Sequence, residues 1–280
     1  MTFPFKLKNG KGKIPGFGLS MGLSLSYLSF LILIPISSLV IYAAKMPLKE
    51  YFRIILDERV IAAFKISFFS AIVAALINFV FGFIIAWVLT RYNFVGKKIV
   101  DACIDLPFAI PTAVAGISLA TVFSANGLLG MILLPFGISI GYSTAGIVIA
   151  LVFIGLPFVV RTVQPIIEEL DTTLEEAAAS LGANYFQIFI KVIFPTVLPA
   201  LVTGATMAFA RGLGEYGSVI FISSNMPYVS EIVPLLIIKK LMQFDYLGAS
   251  AIGVTMLIIA FIMMFVTNIL QKYMLKGRSS

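Results

Sequence analysis

The sequence predicts an all-α membrane protein that crosses the bilayer six times and carries a cytoplasmic helical loop between spans four and five. Of its 280 residues, 60% are hydrophobic and 12% are charged, and the mean hydropathy of +1.06 lies far above that of soluble domains. The apolar residues form long continuous runs, whereas membrane barrel strands would alternate over about ten positions. Helices are therefore predicted, because they satisfy their own backbone hydrogen bonds in lipid.

Two uncharged runs set the number of spans. Residues 19–44 contain 26 uncharged positions, more than the roughly 7–15 apolar residues of a signal peptide core, so a retained first span is expected. Residues 106–160 contain 55 uncharged positions, which is enough for two spans of about 20 residues separated by a surface piece at 126–142. The predicted spans are approximately 19–44, 66–89, 107–123, 143–160, 197–222 and 246–271.

The remaining segments complete the predicted domain organisation. A cationic cytoplasmic tail, 1–18, precedes the transmembrane domain, 19–272, and a second cytoplasmic tail, 273–280, follows it. Residues 45–60 mix charges of both signs with apolar side chains, which predicts an amphipathic helix on the membrane surface.

The charge distribution predicts the orientation. Twelve lysines and arginines fall on the side of the two termini and six on the other side, and positive loops favour the cytoplasm. The net charge of +7 is therefore ascribed to membrane topology, and no nucleic-acid partner is expected. A single cysteine, Cys103, excludes an internal disulfide, and the absence of histidine removes the commonest metal ligand and proton shuttle. No metal site is expected.

The loop at 168–195 is an acidic island. It holds five of the chain's thirteen acids within nine residues, at positions 168–176. Thr173 and Glu176 have the spacing of a capping box, Gly182 stands where a left-handed cap would end the helix, and Asn184 starts a second short helix that runs toward Pro195. A solvated linker is the alternative, but a linker needs none of these features. The pattern predicts a docking surface for another protein.

The same loop resembles a known motif. Glu176-Ala177-Ala178, three residues, Gly182, nine residues and then Val192-Ile193-Phe194-Pro195 is similar to the EAA loop of ABC-importer permeases. Val192 and Phe194 replace the usual isoleucine and leucine. The resemblance implies that this loop is a coupling helix seated on a separate ATP-hydrolysing subunit. The residues it assigns to docking are Thr173, Glu175, Glu176, Ala177, Ala178, Gly182 and Pro195.

The chain lacks an ATP-binding loop of the common type. A phosphate-binding loop needs Gly-Lys-Ser or Gly-Lys-Thr after a glycine-rich turn, and the Gly-Lys pairs at positions 10, 12 and 96 are followed by Gly12, Ile14 and Lys98. We therefore expect no cofactor and no enzymatic activity in this chain, with ATP bound and hydrolysed by a partner subunit.

A second motif places charge inside predicted span five. Arg211 and Glu215 are four residues apart, so they share one helical face and can pair. A charge at the centre of a bilayer costs about 2.5–3.5 kcal/mol on insertion scales, so each should face a partner or water. Mutual neutralisation and a role in guiding an anion are both open. The predicted substrate pathway comprises Arg211, Gly214, Glu215 and Ser218.

Residues 209–217, Phe-Ala-Arg-Gly-Leu-Gly-Glu-Tyr-Gly, are similar to a segment of sulfate and molybdate permeases. Together with the EAA-like loop, the resemblance covers roughly residues 20–272 and is strongest for the T-type permeases of sulfate/thiosulfate importers. It implies four kinds of partner: an ABC ATPase dimer, a second homologous permease subunit or a second copy of this chain, an extracytoplasmic sulfate-binding protein, and the lipid bilayer.

Several alternatives stay open. A molybdate or tungstate permease would carry a dianion of similar shape. An ion-coupled secondary transporter would need intramembrane acids, for which Glu215 is the single candidate. An intramembrane enzyme ranks last, because no nucleophile–base pair is evident. The expected location is a bacterial inner membrane, with the inner envelope membrane of a plastid as the alternative.

Overall fold

The computed structural model describes residues 17–276, with side chains described as far as residue 269. The predicted N-terminal tail lies almost wholly outside this range, and so do residues 277–280 at the C-terminus. The chain divides into two compact units, residues 1–47 and residues 48–280, which are described separately.

The described part of the first unit is one long helix, α1 (Phe17–Ala43). It contains a π-helical turn at Ser29–Leu33, and Pro35 follows directly in the next turn. A proline ring clashes with the carbonyl four residues earlier and cannot donate a backbone hydrogen bond. The wider π turn accommodates this defect without ending the helix. Nearly all residues of α1 are exposed, and most of their side chains are apolar, as expected for a lipid-facing span.

The second unit begins with a surface helix and a long span. Helix α2 (Leu48–Ile55) is amphipathic, so an amphipathic helix is present within 45–60 but is shorter than predicted, because the next helix begins at Glu58. It is attached to the last helix of the chain by a 2.6 Å hydrogen bond between the hydroxyls of Tyr51 and Thr255. Helix α3 (Glu58–Arg91) starts at an Asp57 cap whose carboxylate accepts from the backbone N–H groups of Arg59 and Val60. Its 34 residues correspond to about 51 Å of helix.

The other helices follow in chain order. They are α4 (Lys97–Ile104), α5 (Leu106–Ala109), α6 (Thr112–Phe123), α7 (Leu128–Leu133), α8 (Thr144–Glu168), α9 (Thr172–Ser180), α10 (Tyr185–Leu213), α11 (Val219–Ile222), α12 (Val233–Met242) and α13 (Tyr246–Lys276). Within the described residues, six helical segments are long and apolar enough to cross a membrane: Phe17–Ala43, Glu58–Arg91, Thr112–Phe136, Thr144–Glu168, Tyr185–Leu213 and Tyr246–Ile269. This confirms the predicted all-α, six-span fold with a helix between spans four and five.

The core is formed by α3, α8 and α10, which pack along one another. Glycines at the contacts allow the backbones to approach closely. A Cβ at Gly82 of α3 would lie 2.7 Å from a methyl group of Val159, and one at Gly204 of α10 would lie 2.8 Å from the Cα of Val159. Val159, Val160, Val163 and Val197 are fully buried at this junction. Helix α13 packs against α10 and α12.

Three predicted elements differ from the structure. Span three, predicted at 107–123, is broken before Thr112, where Pro111 occupies the N-cap position of α6 with non-helical backbone angles (φ −54°, ψ 133°). Span five, predicted at 197–222, is a helix over 185–213, after which residues 214–218 leave the helix before the short α11. The stretch between predicted spans five and six, 223–245, contains helix α12, whose residues Val233, Leu235 and Leu236 are buried. Helix α12 has only ten residues and carries Lys239 and Lys240 in its last turn, so it does not form the long uncharged run by which a span is recognised.

Candidate docking and translocation sites

The loop between spans four and five folds as a capped helix. Helix α9 is capped by Asp171, whose Oδ1 accepts from the backbone N–H of Thr173 at 2.9 Å. The predicted Thr173–Glu176 capping box is therefore wrong: the aspartate two residues earlier takes the capping position, which leaves Thr173 inside the first turn. The hydrogen bonds from the backbone N–H and then the hydroxyl of Thr173 hold the pKa of Asp171 below its ordinary value.

Gly182 ends α9 in the left-handed conformation that its position predicts, with φ of +85°. The N–H of Gly182 donates to the carbonyl of Ala179 and the N–H of Ala183 donates to that of Ala178, which is a Schellman turn. An added Cβ at Gly182 would meet nothing within 4 Å. The position thus requires glycine for its backbone conformation and leaves open space above it.

Asn184 starts the next helix, as predicted, through a complete capping box with Gln187. That helix is not short, however. It passes through a π-helical turn at Phe189–Ile193 and continues as α10 beyond Pro195. A π turn thus stands just before a proline here, as it does in α1, and it lets the surface loop and the membrane core share one continuous helix.

The structure distributes the predicted docking residues unevenly. Thr173, Glu176, Ala177 and Gly182 are exposed, whereas Ala178 is half-buried against the core and Pro195 lies partly buried inside α10. The most exposed apolar side chains of the loop, which the motifs did not indicate, are Leu181 (90%), Tyr185 (93%) and Phe186 (71%). These three residues, which we call the apolar patch, flank the Gly182 turn. The sequence could have indicated this patch, because its apolar residues stand directly beside the capping residues Gly182 and Asn184 in an otherwise polar loop.

Glu175 makes an ion pair within the chain. Its Oε1 lies 2.5 Å from Nη2 of Arg91, the last residue of α3, and both side chains are only about a quarter exposed (26% and 20%). The guanidinium of Arg91 also lies 5.2 Å from the ring centroid of Trp87. Glu175 is therefore directed toward the bundle, unlike Glu176.

Arg161 of α8 organises a second cluster of charges. Its guanidinium donates to both carboxylate oxygens of Asp105 at 2.7 and 2.8 Å, to Asp101 at 2.7 Å and to Gln164 at 2.8 Å. These hydrogen bonds hold the pKa of Asp105 below its ordinary value. Arg161 thereby attaches α4, through Asp101, and the junction between α4 and α5, through Asp105, to α8.

The predicted pathway residues meet where α10 ends. Nη1 of Arg211 lies 2.7 Å from Oε2 of Glu215, and the Glu215 side chain is 2% exposed while that of Arg211 is 36% exposed. The other carboxylate oxygen of Glu215 accepts from the backbone N–H and the hydroxyl of Ser218, at 2.9 and 3.0 Å. The predicted pairing is present, although Glu215 lies just beyond the helix. Gly214, the C-cap, is exposed.

Two glycines hold this segment against α6. A Cβ at Gly116 would lie 2.6 Å from the Cα of Ser218, and one at Gly217 would lie 3.2 Å from the Cβ of Thr112. The buried Glu215 and Ser218 are thus fixed from two sides. The side chain of Arg211, by contrast, is 36% exposed.

The opposite end of α3 carries a polar cavity of about 570 Å³. Glu231 lies fully buried beneath it. Its carboxylate accepts two hydrogen bonds from Arg59 at 2.7 and 2.8 Å and one from Lys239 at 2.6 Å. Burial acts to raise the pKa of Glu231, but the hydrogen bonds from Arg59 and Lys239 outweigh it and keep the pKa below its ordinary value. Among the residues whose side chains are described, no group of three or more acids and cysteines could hold a metal ion.

Comparison with known proteins identifies the family. The family model described as "Binding-protein-dependent transport system inner membrane component" matches residues 78–279. The chain belongs to this family. It is a multi-pass membrane permease, and the resemblance to permeases drawn from its motifs is confirmed.

Curated relatives match the chain over most of its length. The sulfate transport system permease protein CysT of Escherichia coli (strain K12) is 47% identical over 258 residues, which cover 92% of this chain and 93% of the relative. The CysT protein of Synechocystis sp. is 44% identical, covering 88% of this chain and 86% of the relative. A probable sulfate transport system permease protein of Chlorokybus atmophyticus is 46% identical, with coverage of 89% and 87%.

Solved structures share the fold at low sequence identity. A chain in the crystal structure of a bacterial ABC transporter involved in the import of the polysaccharide alginate matches with a TM-score of 0.75 at 16% identity, covering 92% of this chain and 96% of that chain. A chain of the MetNI methionine ABC transporter matches with a TM-score of 0.55 at 18% identity, covering 78% and 99%.

Proposed function

We propose that the chain is the pore-forming permease subunit of an ATP-driven importer of sulfate or thiosulfate. The observation that carries the proposal is the exposed, capped turn at Gly182 with its apolar patch, placed between two core spans in a chain that lacks the common ATP-binding loop. Relatives named as sulfate permeases, 44–47% identical over nearly the whole chain, support the substrate class.

In this proposal an ABC ATPase dimer docks on α9 and the apolar patch. Thr173, Glu176, Ala177 and Gly182 form the exposed ridge, and Leu181, Tyr185 and Phe186 fill an apolar groove of the partner. ATP is held by that partner. Closure of the ATPase dimer moves the loop, and α3, α8 and α10 follow because they form one core.

The substrate would pass beside Arg211. Its guanidinium carries a permanent positive charge and is partly open, so it can attract a dianion. Glu215 pairs with this guanidinium and positions it, and Ser218 in turn holds Glu215 by two hydrogen bonds. The exposed Gly214 has no side chain and leaves room for the anion at the end of α10. A second permease subunit, either a homologue or another copy of this chain, would complete the pathway. An extracytoplasmic sulfate-binding protein would deliver the anion to the opposite end of the bundle.

The proposed location is a bacterial inner membrane, with the inner envelope membrane of a plastid as the alternative. Molybdate and tungstate are the alternative substrates. In liposomes containing the chain, its second permease subunit, its ATPase and its binding protein, ATP-dependent uptake of labelled sulfate is expected. Excess thiosulfate should reduce that uptake. Uptake of labelled molybdate, unaffected by sulfate, would overturn the substrate assignment, and uptake driven by an ion gradient without the ATPase would overturn the whole proposal.

The docking surface is tested by Gly182→Asp. Aspartate at φ of +85° is strained and adds a charge in the open space above the turn, so the ATPase should no longer co-purify and uptake should be lost. Gly96→Asp is the matched control, because Gly96 has φ of +88° and its added Cβ also meets nothing within 4 Å. ATPase binding to Gly182→Asp at the wild-type level would contradict docking at this turn.

A further inference from the structure

The Glu175–Arg91 ion pair joins the docking loop to the core helix α3. Glu175 is in the first turn of α9, and Arg91 is the last residue of the 34-residue α3. An ion pair between flexible, exposed side chains contributes little, but these two side chains are 26% and 20% exposed. Each is therefore partly shielded from water, and the contact joins a guanidinium donor to a carboxylate acceptor in a charge-assisted hydrogen bond.

Aromatic packing attaches the other end of the same loop to the same helix. The ring of Phe189, in the π turn, lies 6.2 Å from Trp87 and 5.9 Å from Phe83, measured between centroids. Phe194 lies 6.3 Å from Phe83. Trp87 also carries Arg91 over its ring. The entry and the exit of the loop thus converge on one short stretch at the end of α3.

Because both ends of the loop contact the end of α3, any displacement of the loop also moves α3. Helix α9 is short and solvated. Besides the ion pair, it is attached to the bundle by Ala178, which packs against the core, and by the chain on either side of it. With the pair in place, a displacement of α9 moves the end of α3 together with the start of α10. Because α3 packs along both α8 and α10, the whole core receives the displacement at once.

We propose that Glu175 and Arg91 form the positioning link that transmits movement of the docking loop to α3, so that Glu175 acts inside the subunit and not on the ATPase. The proposal rests on the proposed function for the origin of the movement. The link itself is a property of this chain alone. It persists when the ATPase docks, since the exposed ridge and the apolar patch remain free for the partner.

Charge exchange tests the role of the link in transport. Arg91→Glu and Glu175→Arg should each retain the bound ATPase but lower the sulfate imported per ATP hydrolysed by at least about tenfold, the loss expected for a charged hydrogen bond. The double exchange should restore that ratio to within about threefold of wild type. Lys98→Glu and Glu169→Arg make the same charge changes at exposed neighbouring positions and should leave the ratio unchanged. Single variants with a wild-type ratio, or a double variant no better than the single ones, would overturn the role.

Tryptophan fluorescence tests the link without any partner. Trp87 is the single tryptophan of the sequence, so emission from the purified chain reports on the place where Arg91 lies over its ring. Glu175→Gln should shift the emission and increase quenching by acrylamide because Arg91 is released, whereas Glu169→Gln should change neither. An unchanged signal in Glu175→Gln would overturn the link. If the wild-type chain retains no ATPase, the proposed function fails, and the fluorescence result still decides whether the link exists.

Discussion

Arg211 is the residue at which charge, exposure and position coincide. Its partner Glu215 is 2% exposed and is held by Ser218, so both oxygens of the carboxylate are bonded within the protein. The Arg211 side chain is 36% exposed and can form further hydrogen bonds with an anion. Pairing and anion guidance, which the sequence left as alternatives, are therefore compatible: one face of the guanidinium is occupied and another is open.

Arg211→Ala should lower sulfate uptake by about tenfold or more, since a hydrogen bond to a charged group contributes roughly 1.5–3 kcal/mol. The amount of chain in the membrane should stay unchanged. Uptake of labelled sulfate in liposomes measures the effect. Arg53→Ala is the control, because Arg53 is a more exposed arginine paired with Glu50, and it should leave uptake unchanged. If Arg211→Ala transports like wild type, Arg211 serves Glu215 alone.

Glu231 should make the stability of the chain sensitive to acid. Its pKa in the folded chain is below its ordinary value because Arg59 and Lys239 donate to it. Its contribution is therefore present above the pKa of the unfolded chain, about 4.3, and is lost as pH falls through the lower folded pKa. Glu231→Gln should lower stability by roughly 1–3 kcal/mol at pH 7 and flatten the acid limb. Thermal unfolding between pH 7 and pH 3 measures this, and an equally steep acid limb in the variant would contradict it.

At the scale of the helices, glycine spacing controls how closely the core packs. Gly204 and Gly212 lie on the same helix, α10, but only Gly204 faces a backbone at close range. An added Cβ at Gly204 would lie 2.8 Å from the Cα of Val159, whereas one at Gly212 would meet its nearest atoms at 3.7 Å. The two positions therefore separate the packing role of a helical glycine from its low helix propensity.

Gly204→Ala should destabilise the chain by about 1–3 kcal/mol, because the added methyl group overpacks the contact between α8 and α10. Gly212→Ala should be neutral or slightly stabilising, since alanine favours a helix over glycine by about 1 kcal/mol. Thermal unfolding of the two variants in one detergent measures the difference. Equal melting temperatures would show that α8 and α10 separate easily enough to absorb a methyl group.

Proline and π turns act together at the scale of the element. The turn at Phe189–Ile193 precedes Pro195, and the turn at Ser29–Leu33 precedes Pro35. Sequence reasoning treats a proline as a helix boundary, which is why the helix after Asn184 was expected to stop. The π turn instead carries the helix past the proline, and the docking loop thereby gains a continuous connection to the core.

At the scale of the whole molecule, the orientation in the membrane follows from charge counting and remains a prediction. The single cysteine, Cys103, is exposed and lies in α4, in the loop between the second and third spans, which is predicted to be cytoplasmic. A membrane-impermeant maleimide should label it in inside-out vesicles and not in intact cells. The variant Cys103→Ser with Ser139→Cys moves the thiol to the exposed loop after α7 and should reverse the result. Labelling of Cys103 from outside would invert the topology.

The sequence alone determined the number of spans, the all-α class, the left-handed turn at Gly182 and the start at Asn184. These features depend on local composition, on the length of apolar runs and on backbone conformations that few residues adopt, and all three can be read along the chain. The tertiary structure decided where the helices end and which side chains face each other. Thr173 lost the capping position to Asp171, span five ended at Leu213, and Glu175 turned toward Arg91, 84 residues earlier. Such outcomes depend on which groups compete for the same hydrogen bond or the same space in the folded chain. The order of residues along the sequence does not give the distances between those groups.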